Sequence, residues 1–195
     1  MNIFLRLMRV CFLILTVIFL LPLLAQAGEE KIDFEGTAPE LPGWSATMQD
    51  GNQQSEYRSA SKWDVPFTVA LDSENPHSGS TALKWEFSAD SPGMVSLGPP
   101  YIPVHGQDVE IRFFVRTEGI SEEGIFSFDE SEADGKRLKG YWAVAKIPDS
   151  SDWTEVVWTG RLENVAAVVR IRMGFKSVPA GAKIWIDDIT VKSGG

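Results

Sequence analysis

The chain has 195 residues, of which 44% are hydrophobic and 23% charged, with a formal net charge of −9 at pH 7. This composition is that of one folded domain rather than a disordered chain, and the acidic balance argues against nucleic-acid binding through a basic surface. The single cysteine excludes a disulfide framework within the chain, and two histidines are too few for a His-rich metal or catalytic site.

Residues 1–27 have the pattern of a secretory signal peptide. Two arginines precede an apolar run over 10–24, and an Ala-Gln-Ala cleavage pattern ends at Ala27. The alternative is an uncleaved anchor helix, since about twenty apolar residues can span a bilayer. We expect cleavage, which leaves a domain over 28–195 that is periplasmic or extracellular and has no membrane anchor.

The remaining chain shows strand patterns almost throughout. Apolar and polar residues alternate, as where Leu83, Trp85 and Phe87 share one face of a predicted strand. Patterns typical of β-strands cover 81–87, 109–116, 153–159, 169–175 and 183–191. Turn signals rich in Gly, Pro and Asn separate them at short intervals, and no helical apolar stripe is evident. The sequence therefore predicts one all-β domain over about 31–192, either a sandwich or a barrel.

Three motifs then follow one another in an order found in a known family. They are Ile32–Gly36 with Pro42–Trp44, Asn75–Leu83, and Ile184–Val191. In this order and spacing the chain resembles the jelly-roll carbohydrate-binding modules of the galactose-binding-like superfamily, the type attached to bacterial xylanases and cellulases. The resemblance covers nearly the whole mature chain. It implies a jelly-roll β-sandwich whose first and last strands lie together, and a secreted, non-catalytic polysaccharide-binding protein.

The resemblance also implies a structural Ca²⁺ between the first and last strands. Carried onto this sequence, its side-chain ligands are Glu35 and Asp187, with Asp33 and Asp188 as neighbours that could substitute. Backbone carbonyls from the turn around His77 complete the set, and Ca²⁺ takes six to eight such hard oxygens. The alternative is that the two aspartates are the polar end of a strand. His77 itself is expected to pack on the turn or cap it.

Aromatic side chains are the first candidates for a sugar site, because sugar rings have apolar faces edged by hydroxyls. The candidates are Tyr57, Trp63, Tyr101, Tyr141 and Trp142. Tyr141 and Trp142 are adjacent in a predicted strand, so they should face opposite ways. We prefer Trp142 for stacking, because Tyr141 would share its face with Ala143 and Ala145. Core packing is expected of three other tryptophans: Trp44, Trp153 and Trp185.

Arginines on the polar faces of predicted strands are the second candidates. They are Arg112, Arg116, Arg170 and Arg172. If their strands are neighbours, these arginines would form a cluster on an otherwise acidic protein. Guanidinium forks suit carboxylates as well as hydroxyls, so the ligand could be a uronate glycan. The alternative is cross-strand ion pairing of about 0–1 kcal/mol each, with Glu86, Glu110 and Glu155 as partners.

Two other functions are alternatives to carbohydrate binding. A glycoside hydrolase or polysaccharide lyase would use two carboxylates about 5–10 Å apart, one with its pKa raised inside a cleft. Asp129, Glu130 and Glu132 are the candidates, although a solvated loop over 129–139 would explain them equally. A protein-interaction or assembly factor with the same fold would instead expose a broad apolar patch. We expect a binding protein and not an enzyme.

Overall fold

The computed structural model describes residues 27–35, 45–49, 56–59 and 67–195, with side chains placed in the first and last of these ranges except at position 92. The described residues form thirteen strands. These are β1 (Gly28–Ile32), β2 (Ser45–Gln49), β3 (Glu56–Ser59), β4 (Phe67–Asp72), β5 (Ala82–Phe87), β6 (Ser91–Gly98), β7 (Ile102–Pro103), β8 (Asp108–Glu118), β9 (Gly124–Ser131), β10 (Arg137–Ile147), β11 (Thr154–Arg161), β12 (Val168–Val178) and β13 (Lys183–Gly194). Among these residues, no helix has the length and apolar character to cross a membrane.

The strands pair antiparallel in two sheets. The first sheet has the order β11-β8-β13-β5-β4, with β1 also on β13. The second has the order β10-β9-β12-β6-β2-β3, with β7 also on β12. Aromatic rings from the two sheets meet between them: Phe113 lies 5.1 Å from Phe126, and Trp85 lies 6.4 Å from Phe175, measured between ring centroids. The all-β jelly-roll sandwich predicted from the motifs is confirmed.

The predicted alternation accounts for the core. In β8, the residues Val109, Ile111, Phe113 and Val115 are all buried. In β12, the buried set is Val169, Ile171, Met173 and Phe175. Successive side chains of a strand point to opposite faces, so each of these strands also presents an outward row of polar residues. The outward row of β12 contains two of the candidate arginines, Arg170 and Arg172, and that of β8 contains the other two, Arg112 and Arg116.

The first and last strands pair along their whole common length. Gly28 lies opposite Ser193 at one end of the pair, and Ile32 lies opposite Ile189 at the other. The same strand β13 also pairs with β8 and β5, so it is the central strand of the first sheet. Residues after β1 are thereby held close to the middle of β13, as the resemblance implied.

The carboxylate of Glu130 is buried at one end of the core. Glu130 is fully buried and accepts hydrogen bonds from the Glu163 amide (2.7 Å), the Asn164 amide (3.2 Å) and the Asn164 side chain (2.6 Å). It also accepts one from the Tyr141 hydroxyl. Burial alone would raise the pKa of Glu130, but these hydrogen bonds outweigh it and hold the pKa below its ordinary value. Burial and the neighbouring carboxylate raise the pKa of Tyr141 to about 12.

We expect Glu130→Gln to destabilise the fold by about 2 kcal/mol at pH 7, because hydrogen bonds to a charged group are worth about 1.5–3 kcal/mol each. The folded-state pKa of Glu130 lies below its ordinary value. Its contribution is therefore complete above the unfolded pKa and is lost as the pH falls through the folded pKa. Urea unfolding at pH 7 and at pH 3 measures the difference between parent and variant.

Glu132→Gln is the matched control, since Glu132 is only partly buried and pairs with Lys136 four residues along the chain (3.0 Å). We expect it to change the free energy of unfolding by less than about 0.5 kcal/mol. Equal effects of the two variants at pH 7, or a Glu130→Gln penalty that is the same at both pH values, would contradict the assignment.

Candidate functional site

The outer face of the second sheet carries a row of polar side chains at its centre. In register, Arg170 of β12 lies opposite Asp129 of β9, and Arg172 lies opposite Ser127. Their chain neighbours point into the core, where Phe128 is fully buried. The alternation that builds the core therefore places these four polar residues together on the opposite face.

Two guanidinium groups contact one carboxylate in this row. Asp129 is 5% exposed. Its Oδ1 lies 3.0 Å from Arg137 Nε, and its Oδ2 forms an ion pair with Arg172. Arg137 belongs to the neighbouring strand β10, and the sequence alone did not single out either Arg137 or Asp129 as part of a binding site. In the sequence, this contact is indicated only by the arginine at the start of β10. It lies three residues before Gly140, which is opposite Asp129 in register.

Tyr101 lies next to this row. The Arg170 guanidinium carbon lies 5.6 Å from the centre of the Tyr101 ring, within the range of a cation–π contact. The Tyr101 hydroxyl donates to the carbonyl of Gly135 (3.4 Å). The ring itself is partly exposed, so an aromatic face and a guanidinium stand together at this edge of the sheet.

Trp142 is exposed and lies at the start of a bulge in β10. Tyr141 lies opposite Phe128 and Ala145 lies opposite Phe126, so three residues of β10 stand against Ser127 alone. The middle residue, Ala143, has a φ of 50°, and its amide donates to the Ser127 hydroxyl (3.0 Å). Trp142 is 62% exposed. The bulge is the reason that simple alternation does not hold between Tyr141 and Ala145.

Tyr141 belongs to the core, as the preference for Trp142 assumed. Its ring stacks on Phe128 at 4.5 Å with an interplanar angle of 10°. Tyr57 lies in β3 opposite Thr47, but its side chain lies outside the described residues, as does Trp63 entirely. Trp44 also falls outside them. Trp185 is buried and donates to Asp72 (2.8 Å), and Trp153 is half-buried and donates to the Asn75 carbonyl (3.1 Å).

Gly174 of β12 faces the same side of the second sheet and lies between Ile125 and Ser96 in register. A Cβ at Gly174 would lie 3.2 Å from Ile125 Cγ1 and 3.4 Å from Ser96 Oγ, so the side chains of the neighbouring strands close over this position.

The four candidate arginines do not form one cluster, because the condition for it, that their strands are neighbours in one sheet, is not met. Arg112 and Arg116 lie on β8 in the first sheet, whereas Arg170 and Arg172 lie on β12 in the second. Arg112 pairs with Glu155 and with Glu110 (3.3 Å). The cross-strand pairing interpretation is therefore right for Arg112.

The other arginine of β8 is enclosed by aromatic rings. The Arg116 guanidinium carbon lies 3.8 Å from the ring centre of Trp185 and 5.7 Å from that of Trp153. The third proposed acidic partner, Glu86, pairs instead with Lys84 (3.3 Å). Arg116 thus packs in a stack of side chains on the first sheet.

The predicted metal ligands converge on the turn over 77–81, in an arrangement that we call the acid clasp: Glu35, Asp187, Asp188 and this turn. Glu35 accepts from the Ser80 amide (2.9 Å) and hydroxyl (2.8 Å), which lowers its pKa. Asp187 is fully buried, and its Oδ2 accepts from the amides of His77 (3.0 Å) and Ser78 (3.2 Å). Residues that the resemblance named together, although they are far apart in the sequence, therefore lie at the same turn in the structure.

Asp188 lies at a bulge in β13 with a φ of 48°. One of its oxygens lies 2.9 Å from Lys31 Nζ and the other 2.8 Å from His77 Nδ1. Burial would raise the pKa of Asp188, but hydrogen bonds from Ser78, His77 and Lys31 outweigh it and lower the pKa to about 2. His77 also stacks on Phe114 of β8, with 3.5 Å between the ring centroids. Asp33 lies 3.8 Å from Lys31 Nζ.

The acid clasp has the donor chemistry of a calcium site, because carboxylate and carbonyl oxygens are the ligands that Ca²⁺ prefers. In the described arrangement, however, its carboxylates accept hydrogen bonds from the turn, and Asp188 also faces the Lys31 ammonium. Within the ranges that the structure describes, no group of three or more acidic, His or Cys side chains is arranged to hold a metal. A cation bound beside Asp188 would therefore compete with Lys31.

The carboxylates proposed for an enzyme do not share a cleft. Asp129 faces outward towards two arginines, whereas Glu130 faces the core and has a lowered pKa. Glu132 pairs with Lys136. Burial raises the pKa of Asp187, but that residue lies in the acid clasp of the first sheet. The acidic run over 129–132 therefore lacks the paired geometry that glycoside hydrolysis requires.

A separate open cavity of about 810 Å³ lies on the first sheet, between the ends of β1, β8, β11 and β13. Its charged residues pair with each other: Arg161 with Asp108 (3.1 Å), and Lys192 with Glu29 (3.9 Å). No aromatic side chain is among the described residues that line it. Its chemistry is thus unlike that of the second-sheet face.

The sequence matches no protein-family model and no curated protein. Among solved structures, the fold is similar to the family 11 carbohydrate-binding module from Clostridium thermocellum in complex with a β-1,3-1,4-mixed-linked tetrasaccharide. That likeness has 15% identity and a TM-score of 0.56 over 86% of this chain and 96% of the module. The CBM22-1 xylan-binding domain of Paenibacillus barcinonensis Xyn10C gives 16% identity and a TM-score of 0.51 over 84% of this chain and 92% of the domain.

The same fold also occurs within a larger protein, the enzymatically active domain of Bacteriophage CBA120 tailspike protein 4. This likeness has 14% identity and a TM-score of 0.54, and covers 81% of this chain but 20% of that chain. At such identities the comparison establishes architecture, and function has to be argued from the site. The chain therefore has the jelly-roll β-sandwich fold of carbohydrate-binding modules, as its motifs indicated.

Proposed function

We propose that the protein is exported and binds polysaccharide, without catalysis, on the outer face of the second sheet. The observation that carries this proposal is the exposed Trp142 ring, 62% exposed on a bulge beside the row formed by Ser127 and Arg172. Exposed tryptophans next to fixed hydrogen-bonding groups are the usual anchors of binding sites.

The remaining features of this face suit a sugar chain. Tyr101 offers a second partly exposed ring, beside the Arg170 guanidinium. Ser127 and the arginines supply the polar groups that hydrogen-bond to hydroxyls. Two solved structures with this fold support a polysaccharide as the ligand class. One is a xylan-binding domain, and the other is a module in complex with a mixed-linked tetrasaccharide.

The signal-peptide pattern over 1–27 supports export, which would bring the domain to where polysaccharides occur. A chain with one cysteine, inside that leader at Cys11, cannot rely on an internal disulfide for stability. In this proposal, a structural Ca²⁺ held by Glu35 and Asp187, with Asp33 and Asp188 beside them, would join the two ends of the domain. The bound Ca²⁺ would neutralise the negative charge of the acid-clasp carboxylates at the turn.

We expect Trp142→Ala to weaken polysaccharide binding at least about tenfold while leaving the melting temperature nearly unchanged, because the ring contacts solvent rather than the core. Isothermal titration against xylan, mixed-linkage β-glucan and uronate-bearing glycans measures the affinity. Val157→Ala, at an exposed apolar position on the first sheet, should leave binding as in the parent. A Trp142→Ala variant that binds as tightly as the parent would contradict the stacking role.

If Ca²⁺ is bound at the acid clasp, the melting temperature of the parent should fall by about 5–10 °C on chelation. This corresponds to a ligand at about 100 times its dissociation constant in a domain of this size. Glu35→Gln should remove the response to Ca²⁺, whereas Asp152→Asn, which alters an exposed acid outside the clasp, should retain it. Identical melting curves with Ca²⁺ and with chelator would overturn the calcium proposal and leave the sugar site unaffected.

A further inference from the structure

We infer that the polysaccharide ligand is acidic, a glycan that carries uronate carboxylates, and that Arg137 and Arg172 receive one of these groups. This inference rests on the proposed function and specifies its ligand. It is carried by the contact of both guanidinium groups with the single buried carboxylate of Asp129.

The charge on this part of the surface is unbalanced. Two guanidinium groups share one carboxylate, so the trio of Arg137, Asp129 and Arg172 has an excess of one positive charge. The first sheet offers the opposite case, where Arg112 alone contacts two carboxylates, Glu110 and Glu155. On a chain with a net charge of −9, an excess positive charge next to a candidate binding ring is the feature that distinguishes this face.

Asp129 also fixes the guanidinium groups in position. Arginine has five N–H donors in a planar fork, and the contact with Asp129 uses the Nε of Arg137. The Arg137 side chain is 62% exposed, so a ligand can reach its guanidinium from solvent. A guanidinium that is already oriented loses less conformational entropy on binding a carboxylate, and carboxylates match its fork with two parallel hydrogen bonds.

The position of Arg137 links this charge to the stacking ring. The side chain lies over Gly140, because a Cβ at residue 140 would come 1.8 Å from Arg137 Nη2. Trp142 lies two residues further along β10, at the start of the bulge. One oligosaccharide can therefore contact the Trp142 ring with one sugar and place the carboxylate of a neighbouring sugar at Arg137.

The test compares glycans that differ only in charge. The probes are oligogalacturonates, alginate oligosaccharides and glucuronoxylan oligosaccharides, each titrated beside its methyl-esterified counterpart. We expect the parent to bind at least one acidic probe about tenfold more tightly than the ester, as for a charge-assisted hydrogen bond. Arg137→Gln should abolish that preference, and Trp142→Ala should weaken the acidic and esterified forms alike.

Two further variants separate position from charge. Gly140→Ala retains every charge but displaces the Arg137 guanidinium, so it should reduce the preference for the acidic probe. Arg161→Gln removes an exposed arginine that pairs with Asp108 on the first sheet, and it should leave the preference as in the parent.

Equal affinity for each acid and its ester would overturn this inference while leaving polysaccharide binding intact. A preference that persists in Arg137→Gln would overturn the assignment of the carboxylate site to Arg137. If neither the acidic probes and their esters nor xylan and β-glucan bind, the proposed function fails together with the inference.

Discussion

The alternation of inward and outward side chains in the central strands is the constraint on which the rest of the molecule depends. Asp129 and Glu130 are adjacent in β9, and this alternation sends them to opposite faces. Glu130 lies at the end of the core, where it holds the segment after β11 through two backbone amides and the Asn164 side chain. Asp129 lies on the outer face, where it holds two guanidinium groups. A shift of one residue in register would exchange these environments and leave both carboxylates without their partners.

The acid clasp of the first sheet also holds chain segments through carboxylates, but its hydrogen-bond donors are different. Glu35 and Asp187 accept hydrogen bonds mainly from backbone groups of the turn over 77–81. Backbone amides have fixed directions, so such contacts define where the turn lies relative to β13. The outer face of the second sheet is instead lined by arginine and aromatic side chains. The domain therefore separates a part that holds the fold together from a part available to a ligand.

The sequence was sufficient to predict the strands of an all-β domain because alternation is a local property, whereas the choice of a jelly-roll sandwich came from the resemblance. The patterns over 81–87, 109–116 and 169–175 correspond to β5, β8 and β12, whose apolar residues form the core. The arginine cluster could not be predicted in the same way. Which strands become neighbours depends on non-local pairing, and β8 and β12 lie in different sheets. The bulge at Trp142 was also missed, since it arises from a mismatch between β10 and β9 rather than from β10 alone.

The central position of β13 determines when the first sheet can form during folding. β13 is the last strand in chain order, yet it lies between β8 and β5 and also pairs with β1. Until it emerges from the ribosome, the first sheet consists of separate pieces with unpaired edges. Contacts between segments so distant in sequence form late, because a long loop has to close first. The first sheet therefore cannot be completed until β13, residues 183–194, is available to pair.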